Sequence, residues 1–152
     1  MPYELNALIA TDELITVVAA ELPIARITRL PRGLALIRMT DELHNALQQP
    51  STTPDYDFKR FPSGFALRIA GWSKADRIAY AEIDADHPTG RRAALWYDGR
   101  ITLGPLTPAD GAPLARILCA LGAPADALPE LTGALDELTA ALDAHRTAPP
   151  AD

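Results

Sequence analysis

Apolar and polar positions along this chain change period several times, and each change marks an element. Residues 3–10, "YELNALIA", form a short apolar run and predict a strand. Leu14, Val17, Val18 and Leu22 then recur at helical spacing until Pro23 stops the helix. Thr11 precedes that helix as an N-cap, and Asp12 and Glu13 suit the positive end of its dipole. In "IARITRLPRGLALIRM" two β-rich runs flank Pro31-Arg32-Gly33, which predicts a hairpin with Gly33 in the left-handed region. Thr40, Asp41 and Glu42 open a second helix, which Pro50 ends. The tetrapeptide TDEL thus occurs twice as a strand exit joined to a helix start. The other reading is an anion site built from two helix N-termini. Asp12, Glu13, Asp41 and Glu42 oppose it, because they already occupy the dipole.

Residues 48–64, "QQPSTTPDYDFKRFPSG", form a long Pro-rich loop. Phe58, Phe61 and Phe65 lie at or just beyond its end, either anchoring it to the core or lining a pocket against the sheet. A helix follows over about 64–75. "RIAYAEIDADHPTGRRAALWYDGRITLGPL" reads as three antiparallel strands, with turn signals at Pro88-Thr89-Gly90 and Asp98-Gly99. Pro113 begins a helix with Leu114, Ile117, Leu118 and Leu121 on its apolar face, closed by Gly122. The last helix, 127–145, carries a seam of Leu128, Leu131, Leu135, Leu138 and Leu142. The order predicts an α+β fold: a split β-α-β start of ferredoxin-like tendency, an antiparallel three-stranded meander and two C-terminal helices. Residues 1–146 are expected to form a single domain, with 147–152 a disordered tail.

Composition narrows the classes. With 152 residues and a 48% hydrophobic content, the chain can bury a core without metal or disulfide. Cys119 is the only cysteine, so no internal disulfide forms. The formal net charge of −6 argues against a nucleic-acid partner. From Asp110 onward seven acids face only Arg116 and Arg146, whereas Arg26, Arg29, Arg32 and Arg38 cluster early. No apolar run is long enough to span a bilayer, and the start lacks the basic end of a secretory signal. The expectation is a cytoplasmic protein with no membrane partner and no cofactor.

Alternation in "IAYAEIDAD" puts Tyr80, Glu82, Asp84 and Asp86 on one strand face and Ala79, Ala81, Ile83 and Ala85 on the other. A three-residue turn would set Asp86 opposite Arg92, Ile83 opposite Leu95 and Ala81 opposite Tyr97, with Trp96 beside Glu82 and Ile101 and Leu103 joining that face. Three acids with aromatic and aliphatic neighbours fit either a partly covered sheet or an open recognition surface. On the second reading Tyr80, Glu82, Asp84, Asp86 and Trp96 bind a protein partner, with Asp136 and Glu137 of the last helix in support. A divalent-cation site from the three acids and His87 is disfavoured: alternate strand positions lie about 6.5–7 Å apart. No serine or cysteine stands in an elbow or triad context, "PRGLAL" is not a phosphate loop, and no catalytic residue is assigned. The leucine seam also admits a homodimer through Leu131, Leu135, Leu138 and Leu142, although it more simply packs on its own core.

The central stretch resembles a group of small bacterial proteins. The shared residues are Trp72-Ser73, Ile78-Ala79-Tyr80, Glu82, Asp84, Gly90, Ala93-Ala94-Leu95-Trp96, Asp98-Gly99 and Leu103-Gly104-Pro105. The group's Gly-Gly-x-Gly-x-Gln turn is replaced by His87-Pro88-Thr89-Gly90-Arg91-Arg92, and its C-terminal Asp-Glu-Phe stretch by the leucine-rich helix. Proteins of this style look like immunity proteins encoded beside secreted toxins. The resemblance implies a non-enzymatic protein that neutralises a cognate toxin, and an acidic surface would suit a basic one. The alternative is a small-molecule-binding or enzymatic domain with a pocket between residues 48–64 and the sheet.

Overall fold

A computed structural model describes residues 4–48, 58, 61, 62, 64–84, 92–107 and 113–147. The elements run β1 (Glu4–Thr11), α1 (Asp12–Glu21), β2 (Ile27–Arg29), β3 (Leu34–Arg38), α2 (Asp41–Leu47), α3 (Phe65–Trp72), β4 (Ile78–Asp84), β5 (Arg92–Tyr97), β6 (Arg100–Leu106), α4 (Pro113–Ala120) and α5 (Leu128–Thr147). Helix α5 continues to Thr147, the first residue of the expected tail, and residues 148–152 lie outside the described residues.

The two TDEL segments start helices. Thr11 Oγ1 accepts a hydrogen bond from Leu14 N (3.3 Å), and Thr40 Oγ1 accepts one from Leu43 N (3.1 Å). Thr11 is both the last residue of β1 and the cap of α1, so the strand turns into the helix with no intervening loop. Between β2 and β3 the chain makes a 3₁₀ turn at Pro31–Gly33. Arg32 shares the left-handed region with Gly33 there, which the turn reading gave to the glycine alone.

All strands join one six-stranded sheet in the order β2-β3-β1-β4-β5-β6, with every neighbouring pair antiparallel. Strands β1 and β2 therefore run parallel, with β3 inserted between them. This is the split β-α-β arrangement, and β1-α1-β2-β3-α2/α3-β4 follows the ferredoxin-like order. The expected meander β4-β5-β6 does not form a separate sheet; it extends the first one through β1–β4.

Both faces are covered. Leu8, Ala10, Ala35, Ile37, Ile78, Tyr80, Ala94 and Trp96 point to one side, where α1, α2 and α3 pack. Leu5, Ala7, Ile9, Leu34, Leu36, Ala79, Ala81, Ile83, Ala93 and Leu95 point to the other, under α4 and α5. A strand segment covered on both faces must be apolar at every position, which explains the unbroken "ALIA" of β1 and the "AALW" of β5.

The leucine seam is spent on this core. Leu131 and Leu135 are fully buried against the sheet, so they are not available as a dimer stripe. Leu138 packs partly against the same cluster, and the side chain of Leu142 lies outside the described residues.

Candidate functional site

The strand register differs from the sequence expectation and changes what stands beside what. Glu82 lies opposite Arg92, Tyr80 opposite Ala94, and Ile78 opposite Trp96. Asp86 was expected opposite Arg92, so β4 is slipped by four positions relative to β5. The physical reason is burial. This register matches the apolar run Ile78–Ala81 with the apolar run Ala93–Trp96, leaving the charged pair at the end. A slip of an even number keeps the faces, so Tyr80, Glu82 and Trp96 do share one side. Ile101 joins them opposite Trp96. Leu103 does not: an irregularity in the β5–β6 ladder turns it to the other face, opposite Leu95.

That face is not an open recognition surface. Tyr80 is fully buried, Trp96 is 2% exposed and Glu82 only 3%. Helix α3 and the segment before it form the cover. Phe58 and Phe61 meet the Tyr80 ring edge-on, with centroids at 4.9 and 5.1 Å. Phe61 also lies parallel to Trp96 at 6.2 Å, and Phe65 meets Tyr80 at 6.2 Å. Of the two readings of residues 48–64, Phe58 and Phe61 take the anchoring role. The side chain of Asp84 and all of Asp86 lie outside the described residues. Of the proposed partner-binding residues, only Asp136 and Glu137 are found exposed. A Glu82→Lys substitution would bury a cation across from Arg92 and would report on folding rather than recognition.

Several residues of the central pattern have structural work. Trp72 Nε1 donates to Glu21 Oε2 at 3.0 Å, tying α3 to α1. Ser73 is completely buried; its Oγ donates to Ala70 O (2.7 Å) and accepts from Gly99 N (2.9 Å), while its carbonyl accepts from Asp98 N (3.0 Å). Thus Trp-Ser and Asp-Gly are two halves of one joint, between the end of α3 and the β5–β6 turn. Asp98 and Gly99 have positive φ, as that two-residue turn requires. Gly104 has φ +98°, and a Cβ there would come within 2.9 Å of Ala93 O.

What remains is a small buried polar group in which Tyr80 and Glu82 are joined by Asn6, a residue the sequence pattern did not single out. Tyr80 Oη donates to Glu82 Oε2 at 3.3 Å, both facing the aromatic side. Directly opposite Glu82 on β1 stands Asn6, 5% exposed. Asn6, Glu82 and Arg92 therefore form a row across β1, β4 and β5 at the edge of the aromatic core. Asn6 Oδ1 is buried and has no hydrogen-bond partner. Glu82 and Arg92 take part in further interactions of their own. The signal in the sequence was the asparagine itself, the one polar side chain in the buried run Leu5–Ala10.

This constellation offers a buried carboxylate, an amide and a phenol across the ladder from Arg92. Among the described residues no group of three or more His, Cys, Asp or Glu side chains is placed to hold a metal ion. No helix among them is long and apolar enough to cross a membrane. Compared with known proteins, the chain matches no family model, no curated sequence and no solved structure.

Proposed function

We propose that this chain is a non-enzymatic cytoplasmic binding protein that takes a protein partner on the outer, acidic side of α5. In its most specific form it is an immunity protein that neutralises a basic toxin domain. The observation that carries the reading is the two-sidedness of α5. Its inner seam, Leu131 and Leu135, is buried on the sheet, while Asp136 and Glu137 are exposed on the outside, as is Glu130, which pairs with Arg32 at 3.5 Å. Asp126, in the 3₁₀ turn leading into the helix, is exposed as well.

Other parts of the described surface suit a partner less well. Both sheet faces lie under helices. Edge strand β2 has three residues and carries Arg29; edge strand β6 contains Pro105, which has no N–H to give a foreign strand. Short, charged or proline-bearing edges discourage strand addition. An acidic helix surface on a chain of net charge −6 would steer a basic partner and speed its association.

The test is protection of cells. The chain is co-expressed with the toxin encoded by a neighbouring gene, and growth is scored beside a purified binding assay. The parent restores growth. Glu130→Lys combined with Asp136→Lys and Glu137→Lys weakens toxin binding by about tenfold or more at low salt and keeps the parent's melting temperature. A triple variant that binds and protects like the parent would overturn this surface. No protection by the parent would overturn the immunity function.

A further inference from the structure

Two rows of side chains on this molecule mirror each other in charge and spacing. The first crosses one end of the sheet. Tyr97 of β5 stands opposite Arg100 of β6. Ile78 pairs with Trp96, and one step further along that ladder brings Arg77 opposite Tyr97 from the other side. Arg77, Tyr97 and Arg100 thus form a row of cation, aromatic ring and cation, and all three are exposed. Tyr97, at 44%, is among the few large apolar side chains that the fold leaves open. The row is partly organised in advance. The Arg77 guanidinium lies 5.7 Å from the Tyr97 ring centroid, and its Nη1 donates to Ala120 O at 3.1 Å, at the end of α4. Arg100 makes no ion pair among the described residues. Tyrosine and arginine are two of the residue types in which interface hot spots are richest.

The second row runs along the outer side of α5. Glu130, Gly133 and Glu137 recur at intervals of three and four residues, so they share one side of the helix, away from Leu131 and Leu135. This row reads anion, gap, anion. Glycine inside a helix weakens it relative to alanine, and a Cβ at Gly133 would meet nothing within 4 Å. The fold itself therefore gives no reason for a glycine there. Both acids are exposed, and Glu130 shares its charge with Arg32 at 3.5 Å. The spacings agree as well. Two strand separations set Arg77 about 9.5 Å from Arg100. Seven residues of helix set Glu130 about 10.5 Å from Glu137.

We infer that the Arg77–Tyr97–Arg100 row docks on the outer side of α5 of a second copy of this chain. Tyr97 fills the space over Gly133, Arg100 pairs with Glu137, and Arg77 lies beside Glu130. The row and the helix are different patches, so the contact is head to tail. Exposed ion pairs contribute little each, and two chains of net charge −6 repel at a distance, so the association belongs to high protein concentrations. It covers the side of α5 assigned above to a toxin, and the two contacts exclude each other. The test uses the purified chain alone, so its failure would leave the toxin reading untouched.

The full chain, labelled with nitrogen-15, is followed from micromolar to millimolar concentration by sedimentation equilibrium and amide spectra. The mean mass is expected to rise above that of one chain, and the amides of Tyr97, Arg100, Gly133 and Glu137 to shift together. Arg100→Glu and Glu137→Arg each set like charges against one another and should weaken the association by about tenfold or more. Both changes in one chain should restore it. Gly133→Leu fills the gap and favours the helix, so it should abolish the association while melting at or above the parent's temperature. A parent chain that stays monomeric at millimolar concentration overturns the inference, as do shifts that map elsewhere. Single variants or a Gly133→Leu chain that associate like the parent overturn it too, and so does a charge-swapped chain that associates no better than the single variants.

Discussion

One sheet carries two cores in this protein, and they follow different rules. The face under α4 and α5 is filled by leucine, isoleucine and alanine, with no buried polar side chain among the described residues. The face under α1, α2 and α3 holds Phe58, Phe61, Phe65, Trp72, Tyr80 and Trp96, and with them the buried polar side chains Asn6, Ser73 and Glu82. Alanines at Ala79, Ala81 and Ala93 keep the first face low, so helices can pack closely against it. On the second face the large rings pack on one another around Tyr80 and Trp96. The aliphatic side asks only for volume. The aromatic side also asks for orientation, because tryptophan, tyrosine, serine and asparagine each bring a polar atom that needs a partner.

The comparison is tested most strongly by removing one large side chain from each face. Trp96 is nearly inaccessible and stacked on Phe61, so Trp96→Ala should destabilise the fold by about 3–5 kcal/mol. Leu131 is equally buried but aliphatic, and Leu131→Ala should cost about 2–5 kcal/mol. Volume-conserving changes should separate the faces further. Leu131→Met is expected to cost less than about 1.5 kcal/mol, while Trp96→Leu should stay close to the alanine value because the stacked ring has no substitute. Denaturant melts measure all four. Equal tolerance on both sides would erase the distinction.

A smaller effect is expected at the joint between α3 and the β5–β6 turn. Ser73 Oγ both donates to Ala70 O and accepts from Gly99 N with no water access. Ser73→Ala leaves the Gly99 N–H without that acceptor and should cost about 1–3 kcal/mol. Hydrogen exchange at Gly99 should quicken with it. Unchanged exchange at Gly99 would mean that the turn holds without α3.

Much of this architecture was legible in the residues. Periodicity fixed the order of strands and helices, Thr11 and Thr40 announced their helices, and alternation sorted Tyr80, Glu82 and Trp96 from Ala79, Ala81 and Ile83. Alternation says which side a residue faces but not what covers that side. The cover was present in the sequence as Phe65, Ile69 and Trp72, but nothing local says which face of a sheet a helix will choose. The β4–β5 register departs from the one a Pro-x-Gly turn predicts, because burial of Ala93–Trp96 on both faces decides it. Asn6 was missed because one polar residue in an apolar strand has no meaning until its neighbour across the ladder is known. That neighbour, Glu82, is 76 residues away in the chain.

The smallest predicted effects concern how the helices of the aromatic face begin. Thr11 caps α1 at the very end of a central strand, whereas Thr40 caps the shorter α2 after a two-residue exit from β3. Each hydroxyl satisfies one N–H of a first turn, and replacement by alanine typically costs about 1 kcal/mol. The two should nevertheless differ. Asp12 at the start of α1 is held by Arg29 of β2 at 3.0 Å, which tethers that end by a second route. Helix α2 spans seven residues against ten for α1, and owes its place to Leu43 and Leu47. Thr40→Ala should therefore expose its helix to fraying more than Thr11→Ala does, with a total loss of about 1 kcal/mol in each case. Amide exchange at Leu43 and Leu14 reports the two ends separately. Faster opening at Leu14 than at Leu43 would show that the Arg29–Asp12 contact, both partners of which are largely exposed, adds nothing to the cap.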